Sequence, residues 1–193
     1  MSSTAFEENN SVYPEVSKNA IGIRYGLMAG FVTMFLTTIN YLYVLKANYI
    51  AFIATNILVI AAIAPITFYV IAIRRQRSLL GGYINIKEAF RVVFLVVLIS
   101  SIMSTVYGLI YNKWIDPECV ERMKTATYEF MAGVKVPEAT INEKMAEFDE
   151  SLAKSTQPGR LAFSVASMIV LQSILGFIVS MITKKERPAA SFN

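Results

Sequence analysis

Four long stretches of the chain contain no Asp, Glu, Lys or Arg, and each is about long enough to cross a lipid bilayer. They cover residues 25–45, 50–73, 92–112 and 161–183. A helix needs roughly 20 consecutive apolar residues to cross the hydrocarbon core. Buried helices of water-soluble proteins rarely remain uncharged on every face over this length. The pattern predicts four spanning helices, despite many β-branched residues, because a backbone in lipid must satisfy its own hydrogen bonds.

The segment between the third and fourth predicted spans has a different pattern. Residues 114–159 hold nine acidic and five basic residues, a balance of −4. A first amphipathic helix is predicted over 117–131. Asp116 suits the N-cap, Pro117 the first helical position, and Glu118 the first turn, where a negative charge is favourable.

A second amphipathic helix is predicted from Pro137, and Pro158 and Gly159 end it before the fourth span. Four apolar residues recur at the spacing of one helical face. They are Ile141, Met145, Phe148 and Leu152. The two helices together predict a hairpin at the outer membrane surface.

These patterns predict an all-α fold, an integral-membrane four-helix bundle with an extramembrane helical hairpin between spans three and four. The expected parts are a polar tail (1–19), spans one to three (20–112), the charged hairpin (113–159), span four (160–184) and a basic tail (185–193).

Basic residues are concentrated in two places, the loop after span two and the segment after span four. They include Arg74, Arg75, Arg77, Lys184, Lys185 and Arg187. The loop between spans one and two holds only Lys46. Because short cytoplasmic loops are enriched in Lys and Arg, both termini are predicted in the cytoplasm and residues 113–159 in the periplasm. Between two spans, these arginines indicate topology rather than nucleic-acid binding, and binding of anionic lipid headgroups is compatible with them.

Small residues recur every fourth position in three spans, which favours close helix packing in lipid. The triplets are Gly22, Gly26 and Gly30, then Ser100, Ser104 and Gly108, then Gln172, Gly176 and Ser180. We expect these faces to meet inside the bundle. A homodimer through the span-one glycines uses the same residues and remains an alternative.

Polar and proline positions inside the spans indicate local structure. Pro65 removes a backbone donor and frees the carbonyl near Ala61, so a kink is expected. Asn40, Asn56 and Gln172 are predicted to form interhelical hydrogen bonds. Aromatic residues near the outer span ends are predicted to anchor the interface. They are Tyr41, Tyr43, Tyr49, Tyr107, Tyr111 and Trp114.

The composition removes several kinds of chemistry. The chain has no histidine and one cysteine, Cys119, which excludes His-ligated haem, common zinc sites and His-based nucleophilic catalysis. An acid/base pair of Asp116 and Glu118 is poorly placed, because positions two apart on a helix point in different directions. No metal or other cofactor is expected. Cys119 is expected to face outward and to react with a membrane-impermeant thiol reagent.

Two stretches carry a family resemblance, GGYINIKEAF before span three and YNKWIDPE after it. With the glycine-rich start of span one and the basic tail, the chain resembles an uncharacterised bacterial family of four-span membrane proteins, a domain of unknown function. Members share an Ile-Asp-Pro-Glu step after the third span. The resemblance implies the bacterial cytoplasmic membrane and a partner among envelope-assembly enzymes. It implies no activity and no residue role.

Three functions are compared. The expected one is a non-catalytic accessory or scaffold subunit of a bacterial envelope assembly. It would bind a membrane protein partner, or a second copy, through the outer hairpin or the bundle surface. The alternative is a small transporter or channel for a neutral or lipid-like substrate, because ion paths usually carry ionisable residues within the spans. The third is an outward-facing enzyme that depends on Asp116.

Overall fold

A computed structural model describes residues 19–155 and 157–186, which form six helices joined by short connections. The helices are α1 (Ala20–Ala47), α2 (Tyr49–Leu79), α3 (Ile86–Ile115), α4 (Cys119–Gly133), α5 (Glu138–Ser155) and α6 (Pro158–Thr183). Four of them, α1, α2, α3 and α6, are long and apolar enough to cross a membrane. The predicted all-α class with four such helices is therefore confirmed. Residues 1–18 of the polar tail, and 187–193 with Arg187, lie outside the described residues.

The four long helices extend beyond the uncharged runs that predicted them. They contain 28, 31, 30 and 26 residues in chain order. At 1.5 Å per residue their lengths are roughly 39–46 Å, against about 30 Å of hydrocarbon. The helices are thus longer than the hydrocarbon layer, and the charged residues Arg24, Arg77, Lys87 and Lys113 lie near their ends.

Helix α3 lies at the centre of the packing. Residues Val92, Val93, Val96 and Val97 are fully or almost fully buried. They form one apolar cluster with side chains from the other three long helices. These include Ile21 and Ala29 from α1, Tyr69, Ala72 and Ile73 from α2, and Val179 from α6. Because these side chains are mostly small or β-branched, the helices approach each other closely.

The glycine face of α1 lies against α3. A Cβ atom at Gly22 would lie 2.7 Å from the Cβ of Leu95, and one at Gly26 would lie 2.9 Å from the Cβ of Ile99. Gly30 lies against Met103 in the same way. Since α3 of the same chain fills this face, the face is not free for the homodimer that the sequence left open.

The other two triplets behave differently from each other. In α6, Gly176 lies against Val93, and Ser180 is fully buried. In α3, a Cβ atom at Gly108 would meet nothing within 4 Å. The prediction that Gly108 is a packing residue is therefore wrong.

Ser100 and Ser104 also lie away from the glycine contact. Ser100 donates its hydroxyl to the carbonyl of Val96 in its own helix, at 2.7 Å. Ser100 and Ser104 are both half-buried, and Ser101 is the buried serine. The ridge that meets α1 is Leu95, Ile99 and Met103, which is one helical position away from the predicted ridge.

Three stretches of the long helices have wider, π-helical turns. They are Asn40–Val44, Thr55–Ile63 and Tyr111–Ile115. In such turns the amide donates five residues back rather than four, as Asp116 does to Tyr111 at 2.8 Å. The middle stretch ends two residues before Pro65, where the sequence predicts a local disruption of α2.

The end of the molecule that holds Arg74, Arg75 and Arg77 is called the basic end. There Ile84 and Lys185 exchange two backbone hydrogen bonds of 2.9 and 3.0 Å, which ties the loop before α3 to the segment after α6. Asn85 and Glu88 form a reciprocal cap at the start of α3, with bonds of 2.9 and 3.1 Å.

Helices α4 and α5 follow α3 and stand at the opposite end, called the hairpin end. Residues 134–137 connect them, and Lys135 takes a positive φ of 60° in this turn. The Lys124 ammonium on α4 pairs with the Asp149 carboxylate on α5 at 2.7 Å. Ile141 is buried, and the other three residues of its apolar stripe are half-buried. The stripe predicted for α5 therefore faces inward.

Candidate functional site

Aromatic residues from α1, α2 and α3 meet at the hairpin end. The Tyr41 ring centroid lies 5.3 Å from that of Tyr111 and 5.7 Å from that of Phe52. Tyr107 lies 5.8 Å from Tyr111, and Tyr49 lies 6.2 Å from Phe52. Tyr111 is fully buried. These tyrosines hold the three helix ends together rather than simply marking an interface.

Two of the six predicted interface aromatics are open to the surroundings. Tyr43 is 69% exposed and Trp114 is 67% exposed. The Lys113 ammonium lies 5.1 Å from the centre of the Trp114 ring. Amphipathic rings with this exposure are typical of the membrane–water boundary.

Asp116 does not cap α4, so this prediction from the sequence is wrong. The helix begins at Cys119 after a turn at Pro117 and Glu118, and it has no side-chain cap. The Asp116 carboxylate instead accepts from the Tyr111 hydroxyl at 3.2 Å and from the Arg122 guanidinium. Because Tyr111 lies at the end of α3 and Arg122 in the first turn of α4, the Asp116 carboxylate connects these two helices.

The charges in this junction favour a fixed arrangement. The Arg122 guanidinium holds the pKa of Asp116 below its usual value, and Asp116 in turn raises the pKa of Arg122. Glu118 lies 3.8 Å from Arg122 and is largely exposed. Asp116 and Glu118, the acid/base pair considered from the sequence, therefore both lie next to the same arginine.

Cys119 is fully buried beside this junction. Burial raises the pKa of its thiol, and the negative charge of Asp116 raises it further. A protonated, buried thiol reacts slowly with external reagents. The expectation that native Cys119 is open to labelling is therefore wrong, because its thiol is buried.

Helix α4 is also tied to the start of α2. The Tyr49 and Thr127 hydroxyls form a hydrogen bond of 2.7 Å, and the Tyr49 ring lies 5.5 Å from that of Phe130. A cleft of about 310 Å³ opens beside these contacts, between the loop before α2 and one side of α4. Lys46 and Glu129 are among its lining residues.

A second polar cluster lies inside the long helices. The Gln172 amide on α6 donates to the Ala61 carbonyl on α2 at 2.9 Å, which is the carbonyl that Pro65 leaves without a donor. The Tyr69 hydroxyl donates to the Gln172 oxygen at 2.9 Å. The predicted interhelical role therefore holds for Gln172, whose two ends bind the same neighbouring helix.

The two asparagines differ. The Asn40 amide donates across to the Phe52 carbonyl at 3.4 Å, and its own oxygen is buried without a partner among the described residues. Asn56 donates to the same carbonyl at 3.2 Å from within α2. The interhelical prediction is wrong for Asn56, whose side chain bonds back to its own helix.

Five of the six basic residues predicted to determine topology lie at the basic end, and the sixth, Arg187, is outside the described residues. Arg74 and Arg75 are exposed and Arg77 is half-buried. Lys184 pairs with Glu186 at 2.9 Å, and the Lys185 ammonium lies 5.6 Å from the centre of the Tyr83 ring. A cavity of about 370 Å³ beside the Ile84–Lys185 bridge is lined by both acidic and basic side chains.

Three acidic side chains of α5 each form a separate ion pair with a lysine. Glu147, Glu150 and Asp149 pair with Lys144, Lys154 and Lys124 respectively. Within residues 19–155 and 157–186, no three His, Cys, Asp or Glu residues are grouped to hold a metal ion. Glu147, Asp149 and Glu150 therefore act as ion-pair partners in this arrangement.

The chain was compared with known protein families. The family described as "Protein of unknown function (DUF4199)" matches residues 24–185. The chain belongs to this family. The match runs from the first turns of α1 to just past the end of α6, so all six helices lie within one family unit. No curated protein and no solved structure matches the chain.

Proposed function

We propose that the chain is a non-catalytic accessory or scaffold subunit of a bacterial envelope assembly. It forms a four-helix bundle in the cytoplasmic membrane, with both termini in the cytoplasm and residues 113–159 in the periplasm. The outer hairpin, formed by α4 and α5, is its docking element for a membrane protein partner or a second copy.

The fixed hairpin is the observation that carries this proposal. Tyr49 and Thr127 hold α4 to α2, Asp116 and Arg122 hold it to α3, and Lys124 holds it to α5 through Asp149. A segment fixed in this way needs little ordering when it binds, which favours recognition.

The face that α5 turns outward supports a docking role. Its apolar stripe is turned inward, while Glu143, Ala146, Glu147 and Glu150 are exposed. Only polar and small groups thus meet the surroundings on this side. A partner with a complementary basic surface is favoured, because complementary charge gives specificity and a fast encounter.

Site-specific photocrosslinking in intact cells tests the proposal. A photoreactive amino acid replaces Glu143 or Ala146 on the exposed face of α5. It replaces Phe163 as a matched control, because Phe163 is an apolar residue of α6 that is 73% exposed. We expect one protein, or a second copy of the chain, to be captured at both hairpin positions and not at Phe163. Crosslinking that is absent from the hairpin, or equal at all three positions, would contradict the docking role.

The intramembrane cluster supports a second candidate, a carrier of a neutral or lipid-like substrate. Gln172, the Ala61 carbonyl and Tyr69 form a polar site without charge inside the hydrocarbon segment. This candidate requires flux into proteoliposomes that Gln172→Leu abolishes. An unchanged flux in that variant, or no flux with the native chain, counts against it.

A further inference from the structure

The cleft at the hairpin end is an open cleft with the dimensions of a small-ligand site. Its volume of about 310 Å³ lies near the lower end of the range for such sites, roughly 300–1,000 Å³. The Tyr49–Thr127 hydrogen bond joins its two sides, the start of α2 and one face of α4. The cleft is thus closed at one side by a specific contact between two helices.

Opposite charges line the two walls of this cleft. Lys46, in the last turn of α1, lies on one wall and Glu129, on α4, lies on the other. Both side chains are exposed, and neither forms an ion pair among the described residues. An ammonium and a carboxylate, neither of them in an ion pair within the described part of the chain, therefore line the same space.

The position of the cleft along the chain indicates its surroundings. Its lining includes Leu45, which is buried, and Ile50, which is 61% exposed at the start of α2. Lys46 lies in the last turn of α1, and Asn48 connects α1 to α2, both of which are long enough to cross a membrane. The cleft therefore opens where the long helices leave the hydrocarbon and where lipid headgroups are found.

We propose that this cleft binds the headgroup of a zwitterionic phospholipid that carries a primary ammonium, the phosphoethanolamine type. Lys46 attracts the phosphate, and Glu129 accepts from the ammonium. The acyl chains leave past Ile50 along the apolar surface of α2. This site goes beyond the docking role of the hairpin, and it does not depend on which partner the hairpin binds.

The aromatic residues favour a primary ammonium over a quaternary one. Tyr49 and Phe130 pack on each other with centroids 5.5 Å apart and an angle of 45° between their planes. The Tyr49 hydroxyl is already bonded to Thr127. Rings that pack on each other do not form the open cage that binds trimethylammonium groups. The Glu129 carboxylate remains as the recognising group, and it requires an N–H donor.

Native mass spectrometry of the full chain in detergent measures this preference. The chain is titrated with phosphatidylethanolamine, phosphatidylcholine and phosphatidylglycerol that have identical acyl chains. We expect phosphatidylethanolamine to bind about tenfold more tightly than the other two lipids. Glu129→Gln removes the preference over phosphatidylcholine, and Lys46→Gln weakens the binding of all three lipids. Glu121→Gln and Lys135→Gln, at exposed hairpin positions outside the cleft, leave the binding unchanged.

Two results would contradict the proposed headgroup site. Equal binding of the three lipids by the native chain, or a loss of preference in the Glu121 and Lys135 controls, excludes it. Helix content and thermal unfolding verify that each variant folds. If a cleft variant does not fold, soluble glycerophosphoethanolamine and glycerophosphocholine compete with bound lipid on the native chain. Stronger displacement by the ethanolamine compound supports the headgroup site, and equal displacement excludes it.

Discussion

The short distance between α1 and α3 depends on glycines of α1, which have no side chain between the two helices. At Gly22 the nearest atoms are the Cβ of Leu95 and the carbonyl oxygen of Val92, at 2.7 and 3.0 Å from an added Cβ. Both belong to the rigid part of α3. At Gly30 the nearest atom is the Met103 sulfur, the far part of a flexible side chain. Gly22 and Gly30 belong to the same evenly spaced series, but an added side chain meets a more rigid neighbour at Gly22 than at Gly30.

This difference predicts a graded series of alanine substitutions. Gly22→Ala should lower the free energy of unfolding by about 1–3 kcal/mol, because it forces α3 to move. Gly30→Ala should cost less, because Met103 can turn away. Gly108→Ala, which meets no atom within 4 Å, should be neutral or stabilising by up to about 1 kcal/mol. Unfolding of the purified protein in detergent measures all three, and equal effects of Gly22→Ala and Gly108→Ala would contradict the packing.

The small-residue pattern located the close contact on α1 but not its partner. Spacing of four residues is visible in the sequence, whereas the rotation of α3 about its axis is not. Ser100 and Ile99 are adjacent in sequence and about 100° apart around a helix. The sequence therefore identified Gly22, Gly26 and Gly30 and placed the α3 contact one position too far along.

At the scale of elements, α2 shows how a proline is accommodated in a spanning helix. The wide turns of Thr55–Ile63 come before it, and α6 supplies a donor to the freed carbonyl. An unpaired carbonyl in hydrocarbon is costly, so such a substitute is expected from neighbouring helices. The sequence predicted the free carbonyl near Ala61. It could not predict Gln172 as the donor, because that requires knowing which face of α6 meets α2.

The Gln172 side chain donates to the Ala61 carbonyl in place of the backbone amide that Pro65 lacks. We therefore predict energetic coupling between positions 65 and 172. Gln172→Leu should lower the free energy of unfolding by about 1–3 kcal/mol, because it leaves the Ala61 carbonyl and the Tyr69 hydroxyl unpaired. In a Pro65→Ala background, the restored amide at position 65 can donate to that carbonyl, so the same change should cost about 1 kcal/mol less. A double-mutant cycle in detergent measures this coupling. Strictly additive effects would show that the Gln172 bond does not replace the missing donor.

At the scale of the whole molecule, two ends of different character are separated by the length of the helices. Arginines and lysines gather at the basic end, where Ile84 and Lys185 join two segments that are distant in sequence. Aromatic residues and the charged hairpin occupy the other end. The number and positions of the four long helices followed directly from their uncharged runs, although each helix extends beyond its run. The attachment of the hairpin did not, because Tyr49, Asp116 and Arg122 carry no pattern that predicts their partners.

The orientation of the chain in the membrane can be measured by cysteine labelling. Because Cys119 is buried, this measurement needs cysteines introduced at exposed positions. In a Cys119→Ser background, single cysteines are placed at Glu118, whose side chain is 89% exposed, and at Ser78, an exposed residue of the basic end. Because basic loops remain in the cytoplasm, a membrane-impermeant maleimide should label Glu118→Cys in intact spheroplasts and Ser78→Cys only after lysis. The native chain, in which Cys119 is buried, should remain unlabelled until it is unfolded. The reverse pattern would place the hairpin in the cytoplasm, and labelling of both positions before lysis would contradict four crossings.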